Sequence, residues 1–122
     1  MNMQRIATVL AIINWLCWPG TGALAHAHLD RASPPVGSTV ATAPPELLLW
    51  FTEKLEPAFS TAEVCDAQGA VVSGKAQVDR SNRTELHVSL KTLPSGTYRV
   101  IWRVLSVDTH RTHGDFTFRV GR

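Results

Sequence analysis

Past residue 26 the chain is written in twos. Leu47, Leu49 and Phe51 alternate with Leu48 and Trp50, so a strand over 47–51 is apolar on both faces and belongs inside a sheet. Residues 60–67 form a second run, closed by the turn Asp66-Ala67-Gln68-Gly69, and 71–78 form a weaker one. Leu86, Val88 and Leu90 share one face, with Glu85, His87 and Ser89 on the other. After the Pro94-Ser95-Gly96 turn comes the strongest pattern. Tyr98, Val100, Trp102 and Val104 point one way, Arg99, Ile101, Arg103 and Leu105 the other. A last run sets Phe116, Phe118 and Val120 against Asp115, Thr117 and Arg119. Pro34-Pro35 and Pro44-Pro45 bracket a loop near the start. Helical periodicity, repeats and low-complexity tracts are absent from this part. About seven short strands at this spacing predict an all-β domain, a β-sandwich or small Greek-key barrel.

The first 25 residues follow a different pattern. Arg5 precedes the stretch Ile6 to Trp18, apolar except for Thr8 and Asn14, and Pro19-Gly20 leads to Ala23-Leu24-Ala25. A charged start, a short apolar run and a small-x-small triplet are the parts of an export signal. The run falls short of the roughly 20 residues that span a bilayer, so a retained anchor is the weaker reading. Cys17 lacks the small residues that precede a lipid-modified cysteine and reads as part of the apolar run. The expected organisation is a signal peptide over 1–25 and one domain over 26–122. Cleavage after Ala25 makes His26 the first residue; Ala25-His26-Ala27 is also small-x-small, and cleavage after Ala27 would begin the chain at His28.

Charge and cysteine content narrow the function. The net charge of +2 drops to +1 when Arg5 leaves with the signal, too little for a nucleic-acid footprint. Cys65 is then the sole cysteine, so no internal disulfide forms, and a thiol in a β-run reads as a small, half-buried hydrophobe.

Histidine carries the candidate chemistry. His26 and His28 open the processed chain, and His110 and His113 lie between the two strongest strands. In extended chain Asp108 and His110 project to the same side. A processed N-terminus adds an α-amine with an ordinary pKa near 7.7–8, easily displaced by a metal at neutral pH. Amine and Nδ1 of His26 close a six-membered chelate, and His110 with Asp108 completes a nitrogen-rich set that suits Cu(II). A structural zinc site would show several cysteines. His28, third after a free amine, offers a rival chelate through the amine, two deprotonated amides and its imidazole. His113 is a further candidate ligand beside His110, and His87 reads as solvated.

These residues bring a resemblance with them. His26-Ala27-His28-Leu29 through Ala32-Ser33-Pro34-Pro35-Val36-Gly37, Ala43-Pro44-Pro45 and Leu49-Trp50-Phe51-Thr52-Glu53 resemble the CopC family of periplasmic copper-binding proteins, in particular its YobA-like, Cu(II)-only members. So do Gly96-Thr97-Tyr98-Arg99-Val100-Ile101-Trp102-Arg103-Val104, Ser106-Val107-Asp108-Thr109-His110 and Gly114-Asp115-Phe116-Thr117-Phe118. The resemblance implies a Greek-key, immunoglobulin-like β-sandwich. It implies a Cu(II) site of His26, Asp108 and His110, with Glu53 orienting a ligand. The family register, with Leu29 fourth and Pro34 ninth, selects a start at His26. The implied role is a monomeric, non-enzymatic periplasmic protein of copper resistance and homeostasis. It would sequester copper or deliver it to a CopD-type inner-membrane partner, expected as a separate polypeptide. The methionine-rich Cu(I) loop of some members has no counterpart, because Met1 and Met3 both lie in the signal. Two other readings stand beside this one: a copper monooxygenase using the same N-terminal chelate, and an adhesion or assembly domain whose histidines are incidental.

Overall fold

A computed structural model describes residues 27–121; the predicted signal segment, His26 and Arg122 lie outside them. Eight strands form in chain order: β1 Leu29–Ser33, β2 Thr39–Val40, β3 Glu46–Phe51, β4 Thr61–Cys65, β5 Ser73–Val78, β6 Glu85–Leu90, β7 Gly96–Leu105 and β8 Arg111–Val120. They make two four-stranded sheets, ordered β1-β3-β6-β5 and β2-β8-β7-β4. The expected immunoglobulin-like sandwich is the architecture found.

The alternation decides which side chains meet between the sheets. Leu47, Leu49 and Phe51 of β3 and Leu86 and Val88 of β6 are buried, and they face Val64 of β4, Tyr98, Val100, Trp102 and Val104 of β7, and Phe116, Phe118 and Val120 of β8. Each large apolar side chain so buried contributes about 1.5–3 kcal/mol. β3 lies between β1 and β6, as its two apolar faces predict. Its outer face is half-exposed, and the Arg31 guanidinium stacks over Trp50, 4.0 Å from the ring centroid.

Two segments differ from the expected pattern, both through long-range pairing. β2 lies within the proline-bracketed loop and has only two residues, too few to show a period. It exists because it pairs parallel with the end of β8, Thr39 with Arg119 and Val40 with Val120. β5 begins at Ser73 rather than residue 71. Val71 bridges to Cys65, the Val72 amide donates to the Val64 carbonyl at 2.8 Å, and the Val64 amide donates to Ser73 Oγ at 2.9 Å. The chain thus stays bonded to β4 in one sheet before joining β6 in the other.

Tyr98 ties the base of β7 to the preceding turn. Its hydroxyl donates to the Pro94 carbonyl at 2.6 Å and its ring stacks on Phe118 at 5.7 Å. Burial, with a smaller contribution from the Asp66 carboxylate, raises its pKa above the usual 10.0. A folded-state pKa above the unfolded one stabilises fully below about pH 10, and that contribution is lost as pH rises through the folded value. Tyr98→Phe should therefore cost about 1 kcal/mol at pH 8. The gap between wild type and variant should narrow above about pH 10, measured by urea unfolding at pH 8 and pH 10.5.

Candidate metal centre

β7 and β8 pair along their whole length, from Gly96 with Val120 to Leu105 with Arg111, and Ser106 to His110 closes the hairpin. The closure is a turn, not the extended segment expected. The Thr109 amide donates to the Ser106 carbonyl at 2.9 Å, and the Ser106 amide donates to the His110 carbonyl at 3.0 Å. Thr109 takes φ 73°, a left-handed conformation that a β-branched residue adopts only where its surroundings hold it. That reversal brings its two neighbours together. His110 Nδ1 lies 3.4 Å from Asp108 Oδ1, each side chain about half exposed at 53% and 50%. Two ligands each about 2 Å from one ion can be up to about 4 Å apart, so this pair can share a metal.

The turn is fastened from below. Ser106 is completely buried, and its hydroxyl donates to Asp108 Oδ1 while lying 3.3 Å from the His110 carbonyl. Ser106 bridges to Leu55, the Val107 amide donates to the Lys54 carbonyl at 3.0 Å, and the Glu56 amide donates to the Leu105 carbonyl at 2.8 Å.

The N-terminal segment is held at the same end of the sandwich. Ala27 is fully buried, and its carbonyl accepts from Thr112 Oγ1 at 2.9 Å. The His28 amide donates to Thr52 Oγ1, and the Thr52 amide donates to the His28 carbonyl, both at 3.0 Å. Thr52 follows β3 in one sheet and Thr112 lies in β8 of the other, so residues 27 and 28 are clamped across the gap between sheets. Thr112 is two residues past His110. Residue 26 is outside the described residues; its neighbour Ala27 is tied to Thr112.

The remaining sequence candidates are placed apart. The His28 side chain is exposed, and its backbone carries the contacts to Thr52. Glu53 stands exposed in the bend after β3; the hydroxyl that touches the N-terminal backbone belongs to its neighbour Thr52. His113 lies on the outer face of β8, across from Arg103, while Thr112 and Gly114 face inward. Cys65 is a half-buried free thiol opposite Arg99, six residues along β7 from Leu105 and so about 20 Å from the pair. His87 is less solvated than expected. On the outer face of the other sheet its Nδ1 lies 3.2 Å from Glu46 Oε2 and its Nε2 2.9 Å from Glu85 Oε2.

Among the described residues no three His, Cys, Asp or Glu side chains are grouped to hold a metal ion, and no helix is long and apolar enough to cross a membrane. Little in the sequence marks Ser106, Thr52 or Thr112, because short hydroxyl side chains carry no signal until their acceptors are known. The Ser-x-Asp spacing of Ser106 and Asp108 is the one local hint, since a serine can reach a group two residues on.

Comparison with known proteins sets this geometry in context. The family model of the CopC domain matches residues 29–121. Protein YobA of Escherichia coli K12 is 37% identical over 98 residues, 79% of each chain. Copper resistance protein C of Xanthomonas campestris pv. juglandis is 37% identical over 124 residues, 96% of each chain. The crystal structure of CopC from Methylosinus trichosporium OB3b superimposes with a TM-score of 0.74 at 35% identity, covering 78% of this chain and 93% of that one.

Proposed function

The chain belongs to the CopC family, and on that premise we propose that its processed form is a copper-resistance protein that holds one Cu(II) ion through His26, Asp108 and His110. The observation that supports this reading is the clamp on residues 27 and 28, which holds the Ala27 carbonyl on Thr112, two residues beyond the preformed Asp108–His110 pair. In this reading export removes 1–25 and leaves His26 with a free amine. Amine and imidazole of His26, the Asp108 carboxylate and the His110 imidazole then make a nitrogen and oxygen donor set, the kind that Cu(II) favours over soft-ligand metals. Both methionines leave with the signal, so no thioether site for Cu(I) accompanies it.

The rival chelate centred on His28 is disfavoured by the same clamp. It would need the His28 amide deprotonated and turned to the metal, whereas that N–H donates to Thr52 Oγ1 at 3.0 Å. His113, on the outer face of β8, stays outside the coordination sphere. Glu53 acts at most through Thr52, the residue beside it that touches the N-terminal backbone.

A carrier fits better than an enzyme. Asp108 sits 3.4 Å from His110, on ground that dioxygen chemistry at copper would need open. The protein would work in the periplasm, as a monomer, and would hold copper or pass it to a CopD-type membrane protein.

The test is a Cu(II) titration of protein whose intact mass begins at His26. We expect one equivalent bound, with nitrogen hyperfine structure in the EPR spectrum. His110→Ala and Asp108→Asn should each weaken binding by more than about tenfold, the loss that even a residue one step removed from a metal can cause. No stoichiometric uptake by the wild type, or uptake that both variants leave unchanged, would overturn the proposal.

A further inference from the structure

Resting on the copper-binding reading above, we infer that Ser106 is a positioning residue: it aims the Asp108 carboxylate before the metal arrives. Among the described residues, Ser106 and Ser60 are the buried polar side chains, and Ser106 has no exposed surface at all. A hydroxyl in such a place needs a hydrogen-bond partner to offset the loss of water. An alanine would fill nearly the same volume without that need. The serine therefore calls for an explanation in what its hydroxyl does.

A serine hydroxyl has one proton to give. Two acceptors are within reach, Asp108 Oδ1 and, at 3.3 Å, the His110 carbonyl. The His110 carbonyl already accepts from the Ser106 amide at 3.0 Å. The carboxylate is the stronger acceptor, because a hydrogen bond to a charged group is roughly twice as strong as one between neutral groups. So the proton goes to Asp108 Oδ1. A half-exposed aspartate has several side-chain rotamers open to it, and a buried donor favours one. Held from a buried donor, it presents one orientation, with its oxygen 3.4 Å from His110 Nδ1. Ligand affinity rises when the ordering is done before binding.

The same contacts explain why the role can be tested without unfolding the protein. Ser106 keeps its amide bond to His110 and its bridge to Leu55 whatever its side chain. Asp108 is half exposed and can turn to water. Ser106→Ala thus removes the aim while sparing the turn. Ser60 supplies the control. It too is buried, and its Oγ accepts from the Leu105 amide at 3.1 Å at the other end of the same junction. Its side-chain hydrogen bonds run to the Leu105 backbone.

Two readouts decide the matter. In metal-free protein, NMR scalar couplings report whether the Asp108 Cα–Cβ bond holds one rotamer. In processed protein, a competition titration and EPR report Cu(II) affinity and ligand field. We expect one rotamer in wild type and Ser60→Ala, and averaged couplings in Ser106→Ala. We expect Ser106→Ala to weaken Cu(II) binding by about 10- to 100-fold with a changed spectrum. Ser60→Ala should lower stability and leave both copper readouts alone. A single rotamer in Ser106→Ala, or equal copper loss in Ser60→Ala, would overturn the positioning role. Wild-type protein that binds no Cu(II) would instead sink the copper reading, and the rotamer measurement would still judge Ser106 by itself.

Discussion

One extra residue ahead of His26 in the processed protein is expected to lower Cu(II) affinity by about two orders of magnitude or more, and to remove one nitrogen from the EPR spectrum. The amine of a first residue has a pKa near 7.7–8 and yields its proton to a metal at neutral pH. Once acylated it becomes an amide, whose proton is far harder to displace than that of an ammonium group. The six-membered ring between amine and imidazole opens, and the His26 imidazole is left as a single, tethered ligand. A hundredfold loss corresponds to about 2.7 kcal/mol, a plausible share for one nitrogen of a chelate. The fold should be untouched, because the clamp acts on residues 27 and 28 through the Ala27 carbonyl and the His28 backbone.

The extension also moves His28 out of third place, so the result needs a companion. His28→Ala with the native start removes the rival chelate and nothing else, since the contacts of His28 run through its backbone. It should bind one equivalent with the wild-type spectrum. A His28→Ala protein that loses copper would show that the rival chelate holds the metal, and an extended protein that keeps it would show that the amine of His26 is not a ligand.

Gly114→Ala should destabilise the sandwich by about 1–3 kcal/mol, the usual cost of overpacking a core. Gly114 lies directly across from Trp102 in the β7–β8 ladder. A Cβ there would stand 2.5 Å from Trp102 Cζ2 and 2.9 Å from Cε2. The indole has little room to retreat: it is 8% exposed and meets Phe51 edge-on, with ring centroids 5.1 Å apart. The source of the strain can be isolated. Phenylalanine lacks the second ring, so Gly114→Ala should cost less in a Trp102→Phe background than in wild type. The double-mutant cycle, measured by urea unfolding, would then show coupling between the two sites. A cycle with no coupling would mean that the indole is not what excludes the Cβ.

The two expectations mark different kinds of legibility. Gly114 stands in a strand whose alternation is plain in the sequence, yet nothing local says that an indole covers it. His26 was marked by its place behind a small-x-small triplet, yet nothing local says which other residues it would meet. Asp108 and His110 were singled out for their residue types and spacing, and they do lie together. The reason is the left-handed Thr109 rather than extended chain. Conversely, the spacing of His113 made it look like a neighbour of His110. Alternation along β8 turns it to the outer face.

What is periodic or chemical at short range is legible in the chain alone. A period of two says which face of each strand is buried, because successive side chains of a strand point to opposite sides. That was enough for an all-β sandwich with β3 in the interior of its sheet. Residue chemistry was enough to propose copper as cargo. Tertiary structure decided everything that depends on residues far apart in the chain. It recruited Thr39 and Val40 as a strand, gave Ser106 a carboxylate to hold, and joined Thr112 to Ala27 across a separation of 85 residues. Such contacts leave no local signature. A threonine beside a distant carbonyl reads like any other threonine until the two sheets close and bring Ala27 against β8.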